Sequence, residues 1–136
     1  MKIKHFYDTN TSTYTYIIID LGTNKCAIID PVLDYNIYTG KVTTHNADKI
    51  IKYIKTSRLS CQWVLDTHIH ADHITAAYYL KFKLKCKVGI GSEVKKILKY
   101  WVPIFNMHNE VSLNGAQFDQ LFKNNEEIKI GDLKIK

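Results

Sequence analysis

Four side chains that bind metals well fall within six consecutive positions: His68, His70, Asp72 and His73, in the run Thr67-His68-Ile69-His70-Ala71-Asp72-His73. Imidazole suits zinc or iron, and a carboxylate adds a hard ligand that offsets part of the ion's charge. A catalytic metal needs about three protein ligands and an open position, and this run supplies two or three of them. An ion held there lowers the pKa of bound water, polarises a carbonyl or activates dioxygen. A lone pair of histidines two apart is more often a surface or core feature. Four donors so close together, in a chain with six histidines in all, point instead to a metal site at His68, His70, Asp72 and His73. Asp72 is the candidate catalytic carboxylate. His5, His45 and His108 have no legible partners.

The elements around the run must aim these groups at one point. Residues 61–66, Cys-Gln-Trp-Val-Leu-Asp, read as a buried strand ending at the run. Loops at strand ends are where open sheets place functional groups. In an extended segment residues two apart point the same way, which turns His68 and His70 to one side. Ala71 is small enough for a sharp turn, after which Asp72 and His73 return from the start of a helix expected over 74–84.

Upstream, residues 2–7 read as a strand and 13–30 as a hairpin about Leu21-Gly22-Thr23-Asn24. Residues 31–46 read as a long surface loop, and Asn46 as the cap of a helix over 47–57 whose Ile50, Ile51 and Ile54 share a face. Downstream come a strand over 85–90, a helix capped by Ser92 and stopped by Pro103, a mixed region with a turn at Asn114-Gly115, and a hairpin about Gly131-Asp132. Trp63 and Trp101 are expected in the core, and Tyr7, Tyr14 and Tyr16 in sheet packing. Strands, then alternating strand and helix, then strands, predict an α+β layered domain over residues 1–136.

Composition narrows the class. With 46% apolar and 24% charged residues the chain can bury a core. No apolar run approaches the roughly 18–20 residues of a membrane span, and the start lacks a signal-peptide pattern, so the expected location is the cytoplasm, with no membrane partner. The net charge of +6 comes from scattered lysines, without a compact basic block or a nucleic-acid motif, so no nucleic-acid partner is expected. Three cysteines, Cys26, Cys61 and Cys86, lie far apart in sequence without CxxC spacing and read as buried reduced thiols.

The run from Thr67 to His73 resembles the signature of the metallo-β-lactamase superfamily. Asp8-Thr9, Thr11 to Tyr16, Ala27 to Val32, Asp66 to Ala77, Ile90-Gly91 and Gln117-Phe118-Asp119 resemble its persulfide dioxygenase branch, close to the thioester hydrolase glyoxalase II. The resemblance implies an αββα sandwich with the metal at one edge between two sheets. It implies one Fe(II), with Zn(II) as the alternative, and His68 as the iron ligand supported by His70 and His73. Asp72 would bind a second ion in two-metal hydrolase relatives. The implied substrate is a small glutathione-like persulfide, oxidised by dioxygen to sulfite and glutathione, or else a thioester.

The resemblance also implies a later histidine and aspartate ligand that this sequence lacks. The expectation is therefore the N-terminal half of the sandwich, incompetent alone, with one sheet face uncovered. A complementary C-terminal half or a homo-oligomer would complete it. A non-catalytic remnant or metal-binding half-domain is the reading from another class.

Overall fold

The computed structural model describes residues 1–136. Its centre is a six-stranded sheet built from β1 (Lys2–Asp8), β2 (Thr13–Ile19), β3 (Lys25–Ile29), β6 (Ser60–Leu65), β8 (Lys87–Gly91) and β9 (Gln120–Phe122), in that spatial order. The first three strands are antiparallel, while β3, β6, β8 and β9 run parallel. Parallel neighbours need crossover connections. Helices α1 (His45–Thr56) and α2 (Ala77–Leu84) make two of these, and α3 (Val94–Ile104) with the loop after it makes the third.

The helical face is the main core. Alternation along β2 turns Thr15, Ile17 and Ile19 inward. Ile17 and Ile19 meet Ala47, Ile50, Ile51 and Ile54, a stripe at helical spacing on α1, and Ala77 and Leu80 on α2. A second cluster packs Val94, Leu98 and Val102 of α3 against Ile90.

The opposite face carries a hairpin, β10 (Ile128–Ile130) and β11 (Leu133–Ile135), separate from the sheet. Its Ile130 is fully buried against Ala27 and Leu65, with Trp63 and Phe122 alongside. This face is therefore partly covered. Helices, sheet and hairpin together form the N-terminal portion of the αββα arrangement, an α+β fold.

Gly131 holds the hairpin turn at φ +61°, where an added Cβ would run into the Asp20 carboxylate and the Thr23 hydroxyl. The Asp20 carboxylate accepts the Asp132 N–H at 2.9 Å, and the Gln62 side-chain oxygen accepts the Gly131 N–H at 2.8 Å.

Several local expectations change. The stretch 31–46 is not all loop: β4 (Val32–Tyr35) pairs with β5 (Val42–Thr43) and with β7 (Ile74–Thr75). That pairing delays α2 to Ala77, so Asp72 and His73 stand in the loop before β7. Asn46 does not cap α1. It lies inside the helix and its amide donates to Asp8 and Asp34, while the Asp34 carboxylate accepts the Asn46 N–H and caps the helix from outside. Ser92 does not cap α3 either; its N–H donates to the Phe122 carbonyl. Pro103 sits in the last turn, one residue short of the helix end. Trp101 is 46% exposed and stacks on Phe105 rather than entering the core.

Candidate metal centre

The parallel strands β3 and β6 end side by side, and each hands over to an aspartate. Asp30 follows β3 with φ +48°, a left-handed conformation that is strained for a residue with a side chain and lies next to Pro31. It turns the carboxylate back across the strand ends. There Asp30 accepts the Thr67 N–H at 2.7 Å and the Thr67 hydroxyl at 2.8 Å, and it contacts His70 Nε2 at 3.0 Å. Asp66, after β6, is buried and accepts the Thr75 hydroxyl at 2.8 Å.

These anchors set the histidine tautomers. The single Thr67 hydroxyl proton goes to Asp30, so the Thr67 oxygen is left to accept from His68 Nδ1, 2.9 Å away. His68 Nε2 then carries the free lone pair that a metal ligand needs. In the same way His70 Nε2 faces Asp30, and its Nδ1 lies 3.8 Å from Asp72 Oδ1. Asp72 Oδ2 accepts the Thr13 hydroxyl at 3.0 Å and meets His73 Nδ1 at 3.2 Å.

The predicted residues thus come together. Ligand atoms of His68, His70 and Asp72 all lie within 4.8 Å of one another. The ring centroids of His68 and His70 are 4.3 Å apart, and those of His70 and His73 are 4.1 Å apart. His73 backs the group: its side chain is wholly buried, and its Nε2 has no hydrogen-bond partner. A buried, unpartnered imidazole nitrogen beside the His70 ring and the Asp72 carboxylate, with His68 on the other side of His70, is a donor set that fits a divalent cation.

Sequence reasoning missed Asp30 and Asp66 as site residues. Ligand atoms of Asp30, Asp66 and His70 also lie within 4.8 Å of one another. The available signal was a carboxylate ending each apolar strand run, Ile29-Asp30 and Leu65-Asp66.

The electrostatics divide the carboxylates. The His73 and Thr13 hydrogen bonds hold the half-exposed Asp72 down at about 2. Burial pushes Asp66 up to about 6; the Thr75 hydroxyl opposes this and the Asp30 charge adds to it. Burial also lowers His70, and the neighbouring His73 lowers it further, so its neutral, ligating form persists into mild acid. A cavity of about 990 Å³ opens beside His70, Asp72 and His73, with Tyr35, Lys41 and His45 on its far wall.

A sequence profile described as the Metallo-beta-lactamase superfamily matches residues 8–133. The chain belongs to the metallo-beta-lactamase superfamily. Members of this superfamily bind metal ions, in agreement with the donor set. Among curated relatives of this superfamily chain, Glyoxylase B2 of Dictyostelium discoideum is 42% identical over 99% of it. A Beta-lactamase hydrolase-like protein of Xylella fastidiosa is 39% identical over 98%. Persulfide dioxygenase ETHE1 of Bos taurus is 25% identical over 95%. The solved structure of ETHE1 from Myxococcus xanthus superposes with a TM-score of 0.70 at 27% identity, over 98% of this chain and 46% of that one. The chain spans 31% to 47% of the length of these curated relatives. No helix is long and apolar enough to cross a membrane.

Proposed function

We propose that residues 1–136 form the N-terminal part of a metallo-β-lactamase-like domain whose metal is held by His68, His70, Asp72 and His73. The proposed metal is Fe(II), and the proposed reaction is oxidation of a glutathione-like persulfide by dioxygen to sulfite and the thiol. The observation that carries this reading is the buried, unpartnered His73 Nε2 in a row of three imidazoles, in which His70 faces Asp30 and His68 faces Thr67 with their other nitrogens. The fold likeness to ETHE1 supports the choice of chemistry.

The ion, when bound, supplies charge to the substrate sulfur and a place for dioxygen. This chain's residues do the positioning. Thr67 and Asp30 fix the orientations of His68 and His70. Asp72 stays ionised, so its carboxylate is ready to ligate without first losing a proton. A complementary C-terminal segment or a second copy of the chain supplies the remaining ligands. The protein works in the cytoplasm.

Hydrolysis of a glutathione thioester with Zn(II) is the second reading, favoured by the higher identity to Glyoxylase B2. In it Asp72 helps to bind a second ion.

Anaerobic loading with Fe(II) or Zn(II), followed by metal analysis and circular dichroism of the same sample, tests the site. A stoichiometric ion in a folded chain, lost in His68→Ala and in Asp72→Ala, is expected; binding unchanged in His68→Ala would refute it. Sulfite formed from glutathione persulfide under oxygen but not under nitrogen, once the chain is completed, separates oxidation from hydrolysis.

A further inference from the structure

The three cysteines, distant in sequence, converge in the core at the end of the sheet opposite the histidines. Cys26 on β3 and Cys61 on β6 are direct partners in the parallel ladder. Cys86 immediately precedes β8, the next strand across. All three face the helical core: Cys26 and Cys86 belong to it and Cys61 packs against it. The Cys61 thiol donates to the Trp63 carbonyl at 3.3 Å and the Cys86 thiol to the Leu80 carbonyl at 3.9 Å, so no thiol is tied to another. The three are a row with Cys61 in the middle.

The spacing of the row decides which sulfurs can join. Cys26 and Cys61, direct partners on neighbouring strands, lie about 4.8 Å apart, inside the roughly 4.4–6.8 Å Cα window of a disulfide. Cys86 stands one residue before the first β6–β8 pair, Trp63 with Lys87, and so reaches Cys61 on a diagonal. Cys26 and Cys86 are separated by the whole of β6, about two strand spacings or roughly 9–10 Å, which is outside that window. Exposure adds direction. Cys26 is fully buried and Cys86 nearly so, whereas Cys61 is half-buried near the start of β6 and is the way in for a small reagent.

The geometry points to Cys61 as the obligatory partner in a single intramolecular disulfide, joined to Cys26 or to Cys86, that forms in the folded chain on exposure to hydrogen peroxide. The balance is two thiols and one peroxide giving one disulfide and two waters. A thiolate sulfur attacks the peroxide, the O–O bond breaks, one oxygen leaves as water and a sulfenic acid remains. The adjacent thiol sulfur attacks that sulfenic sulfur, the S–O bond breaks, and the hydroxide leaves with the thiol proton as the second water. Both sulfurs are oxidised and both peroxide oxygens are reduced. The neighbouring Cys61 thiol holds the Cys86 thiol below its ordinary value, which makes it the readier nucleophile. Cys26 and Cys86 each have only Cys61 in reach, so whichever sulfur reacts first the bond includes Cys61.

The test is to treat the folded, metal-free 136-residue chain with hydrogen peroxide at neutral pH. Acid quenching, denaturation, alkylation and peptide mapping follow. The expected result is a fall from three free thiols to one, with Cys61 in every disulfide. Cys26→Ser and Cys86→Ser each still form a bond, and Cys61→Ser forms none. Recovery of a Cys26–Cys86 disulfide, or survival of all three thiols at peroxide levels that oxidise the urea-unfolded chain, overturns the inference. The map of the unsubstituted chain decides the matter even if a serine variant fails to fold.

Discussion

The carboxylate of Asp30 accepts both the backbone N–H and the hydroxyl of Thr67, at 2.7 and 2.8 Å, across 37 positions of sequence. One acidic side chain thereby fixes the first residue of the histidine run and, through the Thr67 hydroxyl, the proton on His68.

Replacing this carboxylate tests whether it supports the metal. Asn tolerates the left-handed backbone of Asp30, so Asp30→Asn changes the charge and the acceptors but not the conformation. Loss of such a supporting partner typically weakens metal binding by about 10–100-fold. Competition against a zinc chelator should show a loss of that size, with the urea midpoint nearly unchanged. Undiminished affinity would mean that the Thr67 contact plays no part in ligation.

Asp66 carries a prediction of opposite sign. Its carboxyl titrates at about 6 in the fold against 3.8 for an ordinary aspartate. The folded state therefore holds the proton more tightly than the unfolded chain. The stabilisation this gives is complete below pH 3.8 and is lost as pH rises through 6. Above pH 6 a buried charge is left, costing on the order of 2–3 kcal/mol. Asp66→Asn, which keeps an acceptor for Thr75, should stabilise the metal-free chain at pH 8 and leave it little changed at pH 4. Urea unfolding at both values checks this; equal effects at the two would show that the carboxylate is solvated.

The hairpin turn makes a third test. Gly131→Ala forces a Cβ toward the Asp20 carboxylate and the Thr23 hydroxyl at a positive φ. Strain and displaced hydrogen bonds together should cost about 2 kcal/mol or more. Trp63, beside Phe122 under the hairpin, should report the loosening by fluorescence. A variant as stable as the parent would mean that the turn relaxes freely.

Much of the fold and of the site could be read in the sequence, for local reasons. The histidine run declares itself because its donors are close neighbours in the chain. The strands and helices follow from alternation in Thr13–Ile19 and the isoleucine stripe of 47–57. What stayed hidden depends on pairings between distant segments. Asp30 and Asp66 read as strand ends until β3 and β6 lie parallel. The cysteines read as three isolated thiols until the register sets Cys26 beside Cys61. Asn46 has the chemistry of a cap, but Asp34 arrives from β4 to do that work, which no local pattern announces.

The ties from Asp20 to Asp132 and from Gln62 to Gly131 also bear on how the protein is made. The first three strands leave the ribosome early, yet the apolar face of Ala27 and Leu65 waits for Ile130. Over that interval the nascent chain presents an adhesive surface to its surroundings, and closing it requires a contact spanning 112 positions. Such non-local contacts form slowly. Synthesis of this chain should therefore depend on chaperones that shield the face until the hairpin emerges.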